Sequence, residues 1–266
     1  MGRSGAEVRT NMNGADQALE YQPAAEPVKS VYFLSGIGTW RSGNLFGPAM
    51  ADIVRRYAAV GITPVHVRDI YPYGWMDDVP MKRFYRFLAR QALRVSRDMY
   101  VKYYRNAGGY RAFREIRKDY DRCGGGSLVL IGHSGGGVAA YKTAKLLEDR
   151  GYTVEQVILV GAPVHSIASD WQGKVKSLRK AGRIGDYVTW WGRPCIGAPR
   201  KSEPVVIRGG HTDYFRTDLL DEEGRSNMSL VMDKVWSWLQ PKESRAPLLR
   251  DKKTVRMISQ HYPQNP

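Results

Sequence analysis

The sequence contains little cysteine, no long apolar run and fewer acidic than basic residues. Only two cysteines occur in 266 residues, Cys123 and Cys195, so one disulfide is possible and none is required. Neither cysteine has neighbouring His or Cys residues at the spacing of a metal site, and we therefore expect no metal. No apolar run approaches the roughly 18 residues of a membrane span, and residues 1–29 lack the apolar stretch of a secretory signal. These absences predict a cytoplasmic protein, with export by a signal-less route left open.

Acidic residues number 26 against 41 basic ones, which gives a formal net charge of +15. Such an imbalance favours an anionic partner or surface. No nucleic-acid recognition motif accompanies the charge, so no nucleic-acid partner is predicted. Composition divides the chain into a flexible arm at 1–28, a domain at 29–240 with a helical insertion at 71–122, and a mobile basic tail at 241–266. The sequence gives no indication of the oligomeric state.

Short apolar runs alternate with segments of helical periodicity along the domain. Six strands are predicted, at 31–34, 63–70, 128–131, 156–160, 175–178 and 204–208. This alternation predicts an α/β fold with a mostly parallel sheet of about six strands and helices on both faces. Functional side chains of such sheets gather at the carboxyl ends of the strands.

The stretch 132–136 joins a predicted strand to a predicted helix through the pattern G-x-S-x-G. Its middle residue, Ser134, would lie at the apex of a sharp turn that needs small neighbours. There its hydroxyl would stand clear of the sheet edge, with the helix N-terminus and the Gly135 N–H aimed at whatever binds it. The alternative is a glycine-rich loop whose serine only caps the helix. The flanking strand and helix favour a nucleophile.

A serine nucleophile needs a base that removes its proton, and the base needs an acid that orients it. His211 follows the last predicted strand and is the candidate base. Asp186, at a turn after the preceding strand, is the favoured acid, and Asp170 is the alternative. Asp213 is expected to make a local turn contact instead. Ser134, Asp186 and His211 are therefore the predicted catalytic residues of an acyl-transfer site.

The other candidate site residues are given no catalytic role. His66 is expected to lie packed or exposed on its strand, and no role is assigned to the remaining histidines, which are His133, His165 and His261. Trp190 and Trp191 either line an acyl pocket near the acid or pack against the core. The glycine-rich turn at 35–40 lacks the spacing of a dinucleotide fingerprint and of a P-loop, so no cofactor is expected.

The sequence resembles the α/β-hydrolase superfamily, in particular its small lipases and esterases, over about residues 30–240. The resemblance rests on four short pieces, at 35–38, 132–136, 185–186 and 210–211, and on the chain order Ser, Asp, His. It implies that Ser134 is the nucleophile, that His211 acts as general base and then acid, and that Asp186 orients the histidine.

The resemblance also implies an oxyanion hole, formed by the backbone N–H groups of Ile37 and Gly135. Many lipases place His-Gly in that turn, whereas this chain has Ser35 and Gly36. Sequence for the family's first two strands is missing as well. The resemblance therefore implies a trimmed sheet of about six strands.

The insertion contains a basic amphipathic helix. Residues 82–122 hold thirteen Lys or Arg and four Asp or Glu, a net charge of +9. An apolar stripe recurs every three or four residues, at Met81, Tyr85, Leu88, Ala92, Val95, Met99 and Tyr103. The opposite side carries Arg83, Arg86, Arg90, Arg94 and Arg97. The pattern is typical of a core-packed helix with a solvated face, of a cover over the serine, and of a peripheral contact with an anionic membrane.

These features lead to hypotheses from two classes. The first is a serine hydrolase that cleaves carboxylic esters through an acyl-enzyme on Ser134, with lipids, phospholipids included, among its substrates. A thioesterase, an acyltransferase or an amidase would use the same triad. The second is a non-catalytic protein that binds an anionic partner on a hydrolase scaffold.

Overall fold

The predicted strands form a single parallel sheet in the computed structural model, which describes residues 28–182, 185–192, 197–199 and 202–241. Within these residues the strands are β1 (Lys29–Leu34), β2 (Val65–Ile70), β3 (Ser127–His133), β4 (Val154–Val160), β5 (Val175–Lys180) and β6 (Ser202–Val205). Their spatial order is β2-β1-β3-β4-β5-β6, and every neighbouring pair is parallel. This is the predicted trimmed sheet.

Helices cover both faces of the sheet. The described α-helices are α1 (Gly47–Ala59), α2 (Phe84–Tyr100), α3 (Ala107–Cys123), α4 (Gly135–Glu148) and α5 (Asn227–Leu239). Side chains of α1 and α5 pack with Phe33 and Ile131 on one face. Those of α2, α3 and α4 pack with Leu130 and Leu159 on the other. Burial on both faces explains the continuous apolar character of the central strands and confirms the predicted α/β fold, a parallel sheet of six strands with helices on both sides.

The register of the sheet brings distant loops together at its carboxyl edge. Leu34 at the end of β1 pairs with Gly132 near the end of β3, and His133 pairs with Val160 of β4. The turn after β1 and the turn after β3 therefore emerge side by side. Lys180, at the end of β5, pairs with Val205, at the end of β6.

Several predicted strand ends differ by one to three residues from those of the structure. β6 ends at Val205 and not at residue 208, because its partner β5 ends at Lys180 and offers no further ladder. The helix α3 begins at Ala107, because two side chains satisfy its first N–H groups. Asn106 accepts from the Gly109 N–H, and the buried Asp98 at the end of α2 accepts from Ala107 and Gly108 at 3.0 and 2.7 Å.

The packed face of α2 differs from the predicted stripe at its first turn. Met81 lies in a 3-10 turn, Met81–Arg83, that precedes α2, and it is 80% exposed, while Tyr85 in the first turn of α2 is 81% exposed. Val95 and Met99 are buried as expected. Two polar side chains, Gln91 and Asp98, are buried beside them. The insertion thus combines a packed face that holds polar contacts with a strongly exposed outer face.

Some predictions fall outside the described residues. They are the arm at 1–28 and the tail at 241–266, except for residues 28 and 241, together with Cys195 and His261. Among the described helices, none is both long enough and apolar enough to span a bilayer.

Candidate active site

Ser134 lies at the apex of the predicted turn between β3 and α4. Its backbone has a φ of 56° and a ψ of −133°, a conformation that is strained for a residue with a side chain. The two glycines of the motif make this turn possible. A Cβ on Gly132 would lie 2.4 Å from the Gly136 carbonyl oxygen, and one on Gly136 would lie 2.1 Å from the Leu34 carbonyl oxygen. The absence of a side chain at Gly132 lets β3 and α4 close around the serine, and its absence at Gly136 lets the end of β1 approach the helix.

His211 joins the serine to the acid. It begins a 3-10 turn that follows β6, and its Nε2 lies 2.8 Å from Ser134 Oγ. Its Nδ1 lies 2.7 Å from Asp186 Oδ2. Because an ionised carboxylate can only accept, Nδ1 carries the proton and donates to Asp186, which leaves Nε2 free to accept from the serine hydroxyl. The structure thus brings the three predicted residues into one hydrogen-bonded chain.

Asp186 is held by three donors. Oδ2 accepts from His211 and from the Tyr214 hydroxyl at 3.0 Å, and Oδ1 accepts from the Val188 N–H at 2.9 Å. Burial alone raises the pKa of the Asp186 carboxyl, but these hydrogen bonds lower it more, so the pKa lies below its ordinary value. The carboxylate is therefore charged at neutral pH.

The alternative acid does not meet the histidine. Asp170 lies on the 3-10 turn Ser169–Trp171 with a side chain 67% exposed, and its carboxylate lies 4.0 Å from Lys145 Nζ. Asp213 makes the local contact that was predicted, since its carboxylate accepts from the Gly210 N–H at 2.7 Å. Of the three candidate acids, only Asp186 contacts His211 Nδ1.

Two histidines without a predicted role are buried. His133 stacks on His211 with ring centroids 5.2 Å apart, and its Nε2–H donates to the His211 carbonyl at 3.1 Å. Burial and the neighbouring His211 lower the pKa of His133 to about 3. Burial lowers the pKa of His165 to about 4; its Nδ1–H donates to the Pro163 carbonyl at 3.0 Å. Both rings are neutral at neutral pH, and His133 fixes the position of the candidate base.

These two histidines predict a loss of stability in mild acid. In the unfolded chain each would titrate near 6.5, so below that pH the unfolded chain binds protons that the folded chain rejects. The free energy of unfolding should therefore fall by about 2 kcal/mol per buried histidine between about pH 7 and pH 5. Urea unfolding at the two pH values measures it. His165→Asn keeps a donor for the Pro163 carbonyl and should remove the part of this loss of stability that His165 causes. An unchanged pH dependence of the free energy of unfolding in this variant would contradict a neutral, buried His165.

The turn at 35–40, here called the glycine loop, lies directly against the serine. A Cβ on Gly36 would lie 2.7 Å from Ser134 Cβ, 3.0 Å from Ser134 Oγ and 3.2 Å from the Gly135 nitrogen. Gly135 is the first residue of α4, so its N–H has no partner within the helix. Ile37 and Gly135 line the same cavity as Ser134. This arrangement suits the oxyanion hole that the sequence predicted, because both residues border Ser134.

Gly36→Ala tests this close approach. The added methyl group would displace the glycine loop or the serine, and we expect a loss in kcat/KM of about 100-fold or more, comparable to the loss of one oxyanion donor. Gly173→Ala is the matched control, because no atom lies within 4 Å of its missing Cβ. Steady-state kinetics of both variants measures the effect. Equal activity of the two variants would show that the glycine loop tolerates a side chain at the serine.

Ser134 and His211 border an apolar cavity of about 770 Å³. Its lining combines Ser134 and His211 with side chains of the glycine loop, of α2 and of the segment after Asp186, among them Trp40, Phe84, Leu88, Val95, Tyr187 and Trp191. Of the two tryptophans predicted either to line a pocket or to pack against the core, Trp191 lines this cavity. Trp190 is not among its lining residues. A cavity of this size and character suits an apolar acyl group.

A possible metal cluster among the described residues lies away from the serine. Ligand atoms of His66, Asp119 and Cys123 lie within 4.8 Å of one another. Asp119, however, already accepts from Tyr32 at 3.0 Å and forms an ion pair with Arg68. A guanidinium at the carboxylate opposes a second cation, so this group fits an ion-pair network better than a metal site.

Three contributors to the site were missed from the sequence. Tyr214 donates to Asp186, and His133 donates to the His211 carbonyl. Gln91 of α2 accepts from the Gly38 N–H at 2.9 Å. Tyr214 lies one short turn after His211 and His133 directly precedes Ser134, so proximity in the chain was an available signal for both. Gln91 lies 53 residues from its partner, and only its place on the apolar side of an amphipathic helix marked it.

Comparison with known proteins gives one match to a protein family. A family model described as thioesterase domain matches residues 113–252, just over half of the chain, and this span includes Ser134, Asp186 and His211. No curated protein matches.

Several solved structures are similar to this chain at low identity. The NocB thioesterase domain from the nocardicin cluster is 14% identical with a TM-score of 0.42, and the alignment covers 81% of this chain and 96% of that one. The type II thioesterase YbtT from the yersiniabactin pathway is 13% identical with a TM-score of 0.36, over 72% and 89%. A Trichoderma reesei cutinase is 18% identical with a TM-score of 0.36, over 64% and 68%.

Proposed function

We propose, since this chain belongs to the thioesterase domain family, that it is a serine hydrolase which cleaves acyl thioesters through an acyl-enzyme on Ser134. The observation that carries the proposal is the hydrogen-bonded chain from Ser134 through His211 to Asp186 at the wall of an apolar cavity. The sequence alone favoured an oxygen ester and left the thioester as an alternative. Family membership reverses that order.

In the proposed reaction His211 Nε2 takes the hydroxyl proton as Ser134 Oγ attacks the thioester carbonyl carbon. The N–H groups of Ile37 and Gly135 hold the oxyanion of the tetrahedral intermediate. The C–S bond then breaks, the sulfur leaves with the electron pair and takes the proton from His211, and Ser134 is acylated. Water, deprotonated by His211, attacks the acyl-enzyme, and the acid product leaves as the serine regains its proton.

The cavity supports an apolar acyl group. Phe84, Leu88 and Val95 present apolar surface to it from α2. Each methylene that moves from water into such surroundings contributes about 0.8 kcal/mol, or roughly a fourfold gain in kcat/KM, until the cavity is filled.

A matched substrate series tests the proposal. Thioesters of N-acetylcysteamine with acyl chains of increasing length should be hydrolysed with kcat/KM rising about fourfold per methylene. Oxygen esters with the same acyl chains should be slower, because a thiolate leaves more readily than an alkoxide. Leu88→Trp should shorten the preferred chain by filling the cavity, whereas Leu220→Trp, at an exposed loop position, should not.

Each contrary outcome has a definite meaning. Faster turnover of the oxygen esters would make the protein a carboxylic-ester hydrolase, as first predicted. Acyl transfer to an added amine or alcohol in preference to water would make it an acyltransferase. Absence of turnover, together with absence of labelling by a fluorophosphonate probe, would reject catalysis.

A further inference from the structure

The outer face of α2 and of the 3-10 turn before it carries a row of arginines. Its members are Arg83, Arg86, Arg90, Arg94 and Arg97, all exposed and three or four residues apart. Within the described part of the chain, no carboxylate forms an ion pair with any of them, although the neighbouring α3 pairs Arg111 with Glu115 and Arg117 with Asp121. The row therefore presents concentrated positive charge to solvent.

A second row on the same helix is apolar and exposed. Tyr85, Leu93 and Tyr100 are 81%, 69% and 73% exposed and recur at intervals of eight and seven residues, about two helical turns. They lie beside the arginines on the face that points away from the core. A helix with packed residues on one face gains nothing in folding from further large apolar side chains on the opposite face.

The same helix also borders the cavity. Its inward residues Phe84, Leu88 and Val95 line it, and Phe84 stacks on Trp40 with ring centroids 5.8 Å apart. Three other lining residues reach solvent, since Trp40, Tyr187 and Trp191 are 44%, 71% and 38% exposed. Apolar surface therefore extends from the cavity to the protein surface.

We propose that α2 is a docking surface for an anionic lipid bilayer. Lipid phosphates would pair with the arginine row, while Tyr85, Leu93 and Tyr100 enter the boundary between headgroups and acyl chains. A nucleic acid or an acidic protein would satisfy the arginines but gives no reason for an adjoining row of exposed apolar side chains, whereas a bilayer surface supplies both environments. The proposal concerns binding alone and is independent of the proposed hydrolysis.

Co-sedimentation of the full chain with vesicles tests it. Neutral phosphatidylcholine vesicles are compared with vesicles that contain about 30 mol % phosphatidylglycerol, at about 0.1 M and about 0.5 M NaCl. We expect at least tenfold tighter binding to the anionic vesicles, reduced at the higher salt. The triple variant Arg86→Glu, Arg90→Glu and Arg94→Glu should bind them at least 100-fold more weakly.

A charge-matched control keeps this test specific. Arg55→Glu on α1, Arg208→Glu in the segment after β6 and Lys234→Glu on α5 make the same change in net charge at exposed positions. This variant should retain more than half of the binding. Tyr85→Ser, Leu93→Ser and Tyr100→Ser should abolish the binding that persists at high salt. Circular dichroism checks that each variant is folded.

Three results would overturn the proposal. They are equal binding to neutral and anionic vesicles, equal loss in the control and α2 variants, and α2-dependent binding of duplex DNA in the absence of vesicle binding. The last would assign the arginine row to a nucleic acid.

Discussion

Ser134→Ala is expected to reduce kcat for acyl thioesters by at least 1,000-fold, because it removes the hydroxyl that the proposed reaction acylates. The substitution removes only Oγ, which lies 2.8 Å from His211, and leaves the apolar cavity intact. KM should therefore change little. Stopped-flow or steady-state hydrolysis of an N-acetylcysteamine thioester measures the loss, and urea unfolding verifies that the variant is folded.

A second serine provides the control. Ser237 lies exposed on α5, and Ser237→Ala should leave both turnover and fluorophosphonate labelling unchanged. Labelling should disappear only in the Ser134 variant. Turnover that survives Ser134→Ala would mean that another group attacks the carbonyl, and the proposed acyl-enzyme would have to be abandoned.

The second large effect is expected for Asp186→Asn. An amide group in place of the carboxylate would turn an NH₂ toward His211 Nδ1, so that Nδ1 must accept and Nε2 carries the proton. Nε2 could then no longer accept from Ser134. A change of tautomer of this kind lowers kcat by about 1,000- to 10,000-fold. Steady-state kinetics across the pH range measures it, and the rate of fluorophosphonate labelling should fall together with kcat.

Two further variants make the interpretation specific. Asp170→Asn, at the alternative acid, should have almost no effect, since that carboxylate faces Lys145. Tyr214→Phe removes one of the hydrogen bonds to Asp186, and we expect it to lower kcat about tenfold. A severe loss in Asp170→Asn with normal activity in Asp186→Asn would place the orienting acid on the other loop.

The central part of the fold could be predicted because it depends on local chemistry. Gly132 is required by contacts within one strand, turn and helix, and Gly136 by the close approach of β1, but the G-x-S-x-G pattern that contains both is visible in the chain. The parallel sheet followed from alternation of apolar runs with helical periodicity, and the order Ser134, Asp186, His211 placed each residue after a different strand. Patterns of this kind can be recognised in the sequence without knowing which residues contact each other in space.

What the sequence could not show depends on pairing in space. The pattern predicted that the five arginines of α2 lie on one side, but whether acids neutralise them is decided by which elements pack nearby. The exposure of Met81 and Tyr85 was not predicted, because it depends on which part of the helix surface the neighbouring elements cover. The cavity lies between segments far apart in the chain, and its size is a property of their packing alone.

The hydrogen bond between Gln91 and Gly38 makes the glycine loop dependent on a part of the chain that lies outside the sheet. Gln91 accepts from the Gly38 N–H at 2.9 Å and donates to the Tyr73 and Gly74 carbonyls at 3.0 and 3.3 Å, so one side chain fastens two backbone segments to α2. The helix that covers the site is thereby also its scaffold. Removal of residues 71–122 to open the site would leave the Gly38 N–H without its acceptor. The glycine loop beside Ser134 would then be held less firmly.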